Sequence, residues 1–166
     1  HNDQRLICSP MTSFLLHHLL EERPILSDYT NASRTLLLNI NTLDWDPDLL
    51  NLFQIPADTL PHCVPNHYSF GTLKVGEHSI PLQIVTGDQP ASLYASGSLQ
   101  ANTHYINVGT GAFIQHPTGS TPIASARLLT SLVMHDGHRG NFVIEGTVNG
   151  PGSALQWFSK KISEGG

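Results

Sequence analysis

Charge is scarce in this sequence. Only 13% of the 166 residues are Asp, Glu, Lys or Arg, and 13 acids outnumber 8 bases. No run of Lys or Arg occurs, and the formal net charge is −5. That argues against a nucleic-acid partner, because such proteins gather basic patches to neutralise phosphates. Cysteine is nearly missing: Cys8 and Cys63 are too few for a disulfide framework, so a reduced cytosolic protein is the simpler expectation. Long apolar runs are missing too. The longest, Phe14 to Leu20, is interrupted by His17 and His18 and is too short to cross a bilayer. Nothing at the start resembles a signal peptide. These absences lead to a soluble, cytoplasmic protein with no membrane partner as the expectation, and they leave room for a homo-oligomer.

Histidine, by contrast, is plentiful, with ten in the chain. Two of them, His135 and His138, flank Asp136-Gly137. An Asp-Gly step reads as a hairpin turn, so these histidines are expected to border a turn rather than to hold a metal, and no metal ligand is assigned.

Apolar spacing places the elements. Residues 13 to 22 are expected to form a helix capped by Ser13, with Leu15, Leu16, Leu19 and Leu20 as its stripe. Thr35 to Ile40 is ambiguous between strand and helix. Asp46-Pro47 is an N-cap and N1 pair that opens a short helix through Phe53. Pro56, Pro61 and Pro65 mark an irregular connector. Phe70 to Val75 and Ile80 to Val85 read as strands around a turn at Gly76 to His78. A helix is expected from about Gln89 to about Leu99, with Pro90 tolerated in its first turn. Beyond residue 100 the chain turns β-rich: His104 to Val108, Ala112 to Gln115, Leu128 to Met134 and Asn141 to Ile144. A last helix after Gly150-Pro151-Gly152 carries Trp157 and Phe158, expected to lie in a core, and ends near Lys160 and Lys161, which suit the negative end of its dipole. The change of character sets the expected division at 1–99 and 100–166.

Two motifs carry chemistry. Gly87-Asp88-Gln89 ends an apolar run. Asp88 could take the proton of an attacking hydroxyl while Gln89 holds a neighbouring one; the tripeptide alone reads first as a turn with Asp88 capping a helix. Val108-Gly109-Thr110-Gly111 could grip phosphate with its backbone N–H groups and hydroxyl, or be a plain hairpin turn. Phe113 fits either a polyol wall or a core position. Glu145-Gly146 could position a Mg²⁺-bound water or be a strand end.

The order of these pieces carries further. Asp28-Tyr29-Thr30-Asn31-Ala32-Ser33-Arg34-Thr35, Leu43-Asp44-Trp45-Asp46, Ile55-Pro56, Leu60-Pro61, Thr86-Gly87-Asp88-Gln89, Val108-Gly109-Thr110-Gly111, Glu145-Gly146 and Gly152-Ser153-Ala154-Leu155-Gln156-Trp157 occur in one sequence. Together, over about residues 12 to 161, they resemble the FGGY carbohydrate kinases, and within them the glycerol kinase-like members. The resemblance implies an α/β, actin-like, ribonuclease H-like fold with ATP and substrate between two domains. Residues 1–99 would be the back of the N-terminal domain and 100–166 the start of the C-terminal domain.

It implies Asp88 as catalytic base, Gln89 and Phe113 as substrate-binding residues, and Gly109, Thr110, Gly111, Gly152 and Leu155 as nucleotide contacts. ATP is the implied co-substrate, with Mg²⁺, and a polyol or sugar the acceptor. Asn31 and Arg34 fall in a motif taken as structural. Gln89-Pro90 departs from the usual Gln-Gln. The family's amino-terminal phosphate loop, other substrate ligands and late Gly-rich adenosine segment are missing, so a middle fragment, inactive alone, is the expectation. The other reading is a non-catalytic, kinase-derived module that binds a sugar or a protein.

Overall fold

The computed structural model describes residues 6–109 and 111–164. The first helix, α1 (Met11–Leu19), starts two residues before the expected one, and Pro10 rather than Ser13 stands at its N-cap. Pro10 cannot continue a helix backwards, and Ser13 turns its hydroxyl inward, where it is buried. Strand β1 (Leu26–Asp28) runs into α2 (Tyr29–Ser33) through Asp28, whose side chain accepts the Asn31 N–H and caps the helix. The ambiguous stretch from Thr35 to Ile40 resolves as a turn at Leu36, with φ +62°, followed by a two-residue strand β2 (Leu38–Asn39), which pairs with β3 (Asp44–Trp45).

Helix α3 (Pro47–Phe53) is as expected. Asp46 accepts the N–H groups of Asp48 and Leu49, and Pro47 fills the first helical position. The proline-marked connector holds a single 3₁₀ turn (Ala57–Thr59) and then strand β4 (His62–Val64), which lies parallel to β1. The hairpin β5 (His67–Val75) and β6 (His78–Ile84) turns at Gly76, where φ is +61°. Helix α4 (Asp88–Leu93) is shorter than the expected 89–99. Ser96, Gly97 (φ +107°) and Ser98 follow its end, and none of these favours continuing the helix.

The β-rich half is one four-stranded antiparallel sheet. Its strands are β7 (Tyr105–Val108), β8 (Gly111–Gly119), β9 (Leu129–His135) and β10 (Gly140–Asn149), in the order β7-β8-β10-β9. The expected strands are all present, β9 shifted by one residue; β8 and β10 are longer than their apolar stretches because polar residues such as His116, Thr118, Glu145 and Thr147 continue them. Helix α5 (Pro151–Glu164) closes the described chain.

Two apolar clusters hold these elements. Leu16, Leu20, Val64, Phe70 and Val85 form one under α1 and the β5–β6 hairpin. Leu93, Val133 and Val143 form the other, between α4 and the four-stranded sheet. Trp157 and Phe158 belong to neither. They are 63% and 57% exposed, against the expectation of a core, because α5 is exposed all round from Ser153 to Ser163 and no described element covers it. Among the described residues no helix is long and apolar enough to cross a membrane.

Candidate active site

Asp88 lies on the stretch of chain that runs from one cluster to the other. Val85, the residue after β6, is buried in the first cluster, and Leu93, the last residue of α4, is buried in the second. The chain between them must turn from strand to helix within Thr86-Gly87. Gly87 is the N-cap, with no side-chain bond to the helix, so Asp88 is not the cap but the first helical residue. Its carboxylate is exposed, and one oxygen accepts the Gln89 N–H at 2.8 Å. A carboxylate has about four acceptor sites, so those left over can receive a substrate hydroxyl. Gln89 is half-buried beside it.

Thr110 lies outside the described residues; its glycine neighbours do not. Gly109 donates its N–H to the Gly111 carbonyl at 2.7 Å, closing the β7–β8 turn. Gly111 is paired with Asn149, the last residue of β10, so the turn lies beside the start of α5. Gly152 touches it there. A Cβ on Gly152 would stand 2.6 Å from the Gly109 carbonyl oxygen, closer than a side chain can approach. Gly109, Gly111 and Gly152, far apart in sequence, therefore form one cradle of bare backbone. Leu155, one turn along α5, is exposed.

A cavity of about 270 Å³ joins the two motifs' elements. Ser92 and Leu93 of α4 line one side, and Ile106, Asn107, Val108 and Gln115 of the β7–β8 hairpin line the other. Phe113 is half-buried in β8, opposite Asn107 and Thr147 and two residues from Gln115, hence on the same sheet face as that lining residue.

Glu145 is no strand end. It sits within β10, buried, and its carboxylate accepts three hydrogen bonds. One oxygen accepts from Arg34 at 2.8 Å and from the Ser131 hydroxyl at 3.0 Å; the other accepts from the Gln115 amide at 2.9 Å. It is a tie between α2 and the sheet, and it has little acceptor capacity left for a metal-bound water. Arg34 and Asn31 are structural in the same sense, Asn31 donating to Asp28 at 2.7 Å.

His135 and His138 do flank a turn. Asp136 accepts the N–H groups of His138 and Arg139, and Gly137 takes a φ of +101°. Burial holds the His135 imidazole below its usual pKa, against the opposing pull of Asp136. Among the described residues, no three His, Cys, Asp or Glu side chains converge as a metal site.

The sequence pattern alone did not single out Asn66. It lies buried between β4 and β5, directly after Pro65, and bonds to Asp28 of β1, to Val85 just after β6 and to His135 of β9. Its only sequence signal is a polar residue in a proline-marked connector.

Comparison with known proteins bears on the family and the fold. Residues 5–94 match the N-terminal domain of the FGGY family of carbohydrate kinases. The chain is 43% identical over 148 residues to a glycerol kinase of Alkalilimnicola ehrlichii, with 87% of this chain and 30% of that protein covered. It is 37% identical over 147 residues to glycerol kinase 2 of Saccharolobus solfataricus, at 88% and 30% coverage. Among solved structures, Plasmodium falciparum glycerol kinase with ADP superposes with a TM-score of 0.80 at 28% identity, covering 90% of this chain and 31% of that one. The xylulose kinase of Rhodospirillum rubrum shares the fold, with a TM-score of 0.72 at 21% identity over 92% of this chain and 31% of that one. The chain thus spans about 30% of the length of the curated relatives it matches. It carries part of the actin-like, ribonuclease H-like α/β fold of these kinases. The chain belongs to the FGGY family of carbohydrate kinases.

Proposed function

We propose that this chain is the middle part of an ATP-dependent kinase that phosphorylates a polyol or sugar hydroxyl, with glycerol the first candidate, given the relatives named glycerol kinase. Residues 1–99 belong to its first domain and 100–166 to its second. Asp88 is the general base. Gln89 and Phe113 bind the acceptor. Gly109, Thr110, Gly111, Gly152 and Leu155 receive the nucleotide.

The observation that supports this reading is the cavity of about 270 Å³ between the far end of the helix that begins at Asp88, at Ser92 and Leu93, and the strand that leads into Gly109, at Ile106 to Val108; Asp88 and Gly109 themselves lie outside its lining. Phosphoryl transfer is largely positioning and charge stabilisation, so a base and a phosphate cradle are useful only when they face a common volume. The lack of side chains at Gly109, Gly111 and Gly152 lets ATP phosphates approach this backbone closely, the Gly109 N–H itself being given to the Gly111 carbonyl. Mg²⁺ would accompany the ATP and neutralise its charge; no residue of this chain is assigned to it. Asp88 would take the acceptor's proton as the oxygen attacks, and Gln89 would hold an adjacent hydroxyl.

This chain by itself is expected not to turn over ATP. Leu155, Trp157, Phe158 and Ile162 stand exposed on α5, as suits a helix that packs against further kinase chain. The compartment is read as the cytoplasm, which two unbridged cysteines support. The test is a coupled ADP-release assay of the full-length protein as encoded, against a panel of polyols and sugars. Asp88→Asn should leave acceptor KM within a few-fold and lower kcat by about 10²–10⁴, the usual worth of a general base. A near-normal kcat would remove Asp88 from the chemistry.

A further inference from the structure

We infer that Asn66, with Thr30 and Asp28 behind it, is a positioning residue that sets the direction of Asp88; this rests on the reading of Asp88 as the base. Asp88 itself touches little that could aim it. Its helix is short and its N-cap, Gly87, is the residue type with most backbone freedom. Something must hold the chain just before it.

Asn66 holds Val85 at both of its backbone groups. The Val85 N–H donates to the Asn66 carbonyl at 3.0 Å, and the Asn66 side-chain amide donates to the Val85 carbonyl at 2.8 Å. The same residue grips the end of β9. Its N–H donates to the His135 carbonyl at 2.9 Å, and its side-chain oxygen accepts the His135 N–H at 2.9 Å. One asparagine thus replaces a strand pairing on two sides and locks the ends of β6 and β9 together.

The amide is itself held. The N–H that does not go to Val85 is shared between Asp28 and the Thr30 hydroxyl, each at 2.9 Å, and Thr30 donates onward to Asp28. Asp28, Thr30 and Asn66 are at most 1% exposed. Thr30 then reaches the loop directly, its hydroxyl 3.4 Å from that of Thr86. The Asn31 side-chain oxygen lies next to Gly87, 3.9 Å from where a Cβ would stand. Val85 and Thr86 are therefore both bonded by the Asp28–Asn66 network before the chain passes through Gly87 to Asp88. Hydrogen bonds of this kind demand direction as well as distance, so they fix the angle at which Asp88 leaves the strand.

The test uses the full-length protein as encoded, in the ADP-release assay with glycerol, or with the panel acceptor it turns over fastest. Thr30→Val, Thr30→Ser, Asn66→Ala and Asp88→Asn are compared with the parent, and each is melted thermally. Thr30→Val keeps shape and removes only the hydroxyl. It should lower kcat about ten- to a hundred-fold, the loss expected from a small misplacement of a reacting group. KM for acceptor and for ATP should stay within about two-fold, and Thr30→Ser should restore most of kcat. Asn66→Ala should act in the same direction; should it fail to fold, the Thr30 pair decides. A folded Thr30→Val with kcat within about two-fold of the parent overturns the inference. So does a Thr30→Ser as slow as Thr30→Val. If Asp88→Asn is inactive while Thr30→Val is normal, the positioning role alone falls. If Asp88→Asn stays active, the base assignment falls and takes the positioning role with it.

Discussion

Removing Arg34 should cost this fold about 2 kcal/mol, a figure bracketed by the ~3–5 kcal/mol of a broken buried pair and the ~0–1 kcal/mol of a surface pair. The geometry sets the value between those limits. The Glu145 side chain is 4% exposed and that of Arg34 is 46% exposed, so only one partner is truly withdrawn from water. Arg34→Met leaves the buried carboxylate with two neutral donors, Ser131 and Gln115, which soften the loss without replacing the charge. Glu145→Gln should cost less, about 1 kcal/mol, because the exposed guanidinium can turn to solvent and the amide keeps one acceptor. The double variant Arg34→Met/Glu145→Gln should recover part of the single loss, since it no longer buries an unpaired charge. The assay is thermal and urea unfolding at pH 7, repeated in 1 M NaCl. For a protein of this size a 2 kcal/mol loss lowers Tm by about 4–8 °C. The salt effect should be small, because the carboxylate is shielded by protein. An Arg34→Met protein within about 0.5 kcal/mol of the parent would refute the argument. A double variant that loses the sum of both singles would refute it too, since the two residues would then be uncoupled.

Gly152→Ala should weaken ATP binding more than acceptor binding, because its Cβ would meet the Gly109 carbonyl oxygen at 2.6 Å and push α5 from the hairpin turn; separate KM values for the two substrates in the full-length protein decide this. Cys8 is exposed, whereas burial, helped by the charges of Asp44 and Asp28, pushes the Cys63 thiol up to about 12. A thiol reagent at pH 8 should thus modify Cys8 rapidly and Cys63 only on unfolding, as a Cys8→Ser variant would show. His135 should make the fold acid-sensitive. Its folded pKa lies below its unfolded value, so the unfolded chain binds the extra proton first and stability falls as pH drops from about 6.5 through the folded value. The Gly137 N–H donates to His135 Nδ1 at 3.0 Å, the site that proton would need, so His135→Gln should flatten the fall in urea midpoint between pH 7.5 and 5.

Much of the fold could be read from residues because local chemistry set it. Asp46-Pro47 produced a capped helix, and Asp136-Gly137 a turn. The apolar stretches around Gly76 became the β5–β6 hairpin. Length was harder to read wherever polar residues continued an element or tertiary contact ended one. β10 runs on through Glu145 to Asn149 because Arg34, Ser131 and Gln115 satisfy the buried carboxylate, and no local pattern announces a partner 111 residues away. Helix α4 stops at Leu93, where burial is complete. Trp157 and Phe158 misled because an apolar helix face reads as core whether or not the neighbouring residues cover it. Asp88, Gly109, Gly111 and Gly152 were legible as motifs, yet their grouping depends on the β8–β10 register and on α5 returning over the turn. Asn66 was not legible, since a buried amide shows its use only through the backbone groups it meets.

The division of labour between apolar and polar contacts explains why these ties matter for chemistry. Each half of the candidate site stands on its own apolar cluster, the strand before Asp88 on one and the α4–sheet contact on the other. Apolar burial is strong but non-directional, so two clusters alone would let the strand end and the sheet slide by an ångström or more with little penalty. A base must lie within hydrogen-bond reach of the proton it takes, and a shift of that size would remove it. Asn66 on His135 and Arg34 on Glu145 are directional, buried at one partner or both, and span the two halves at separate points. Two such ties resist rotation about either one. The clusters therefore supply the stability, and the polar ties set the angle between the loop that carries Asp88 and the sheet that carries the glycine cradle.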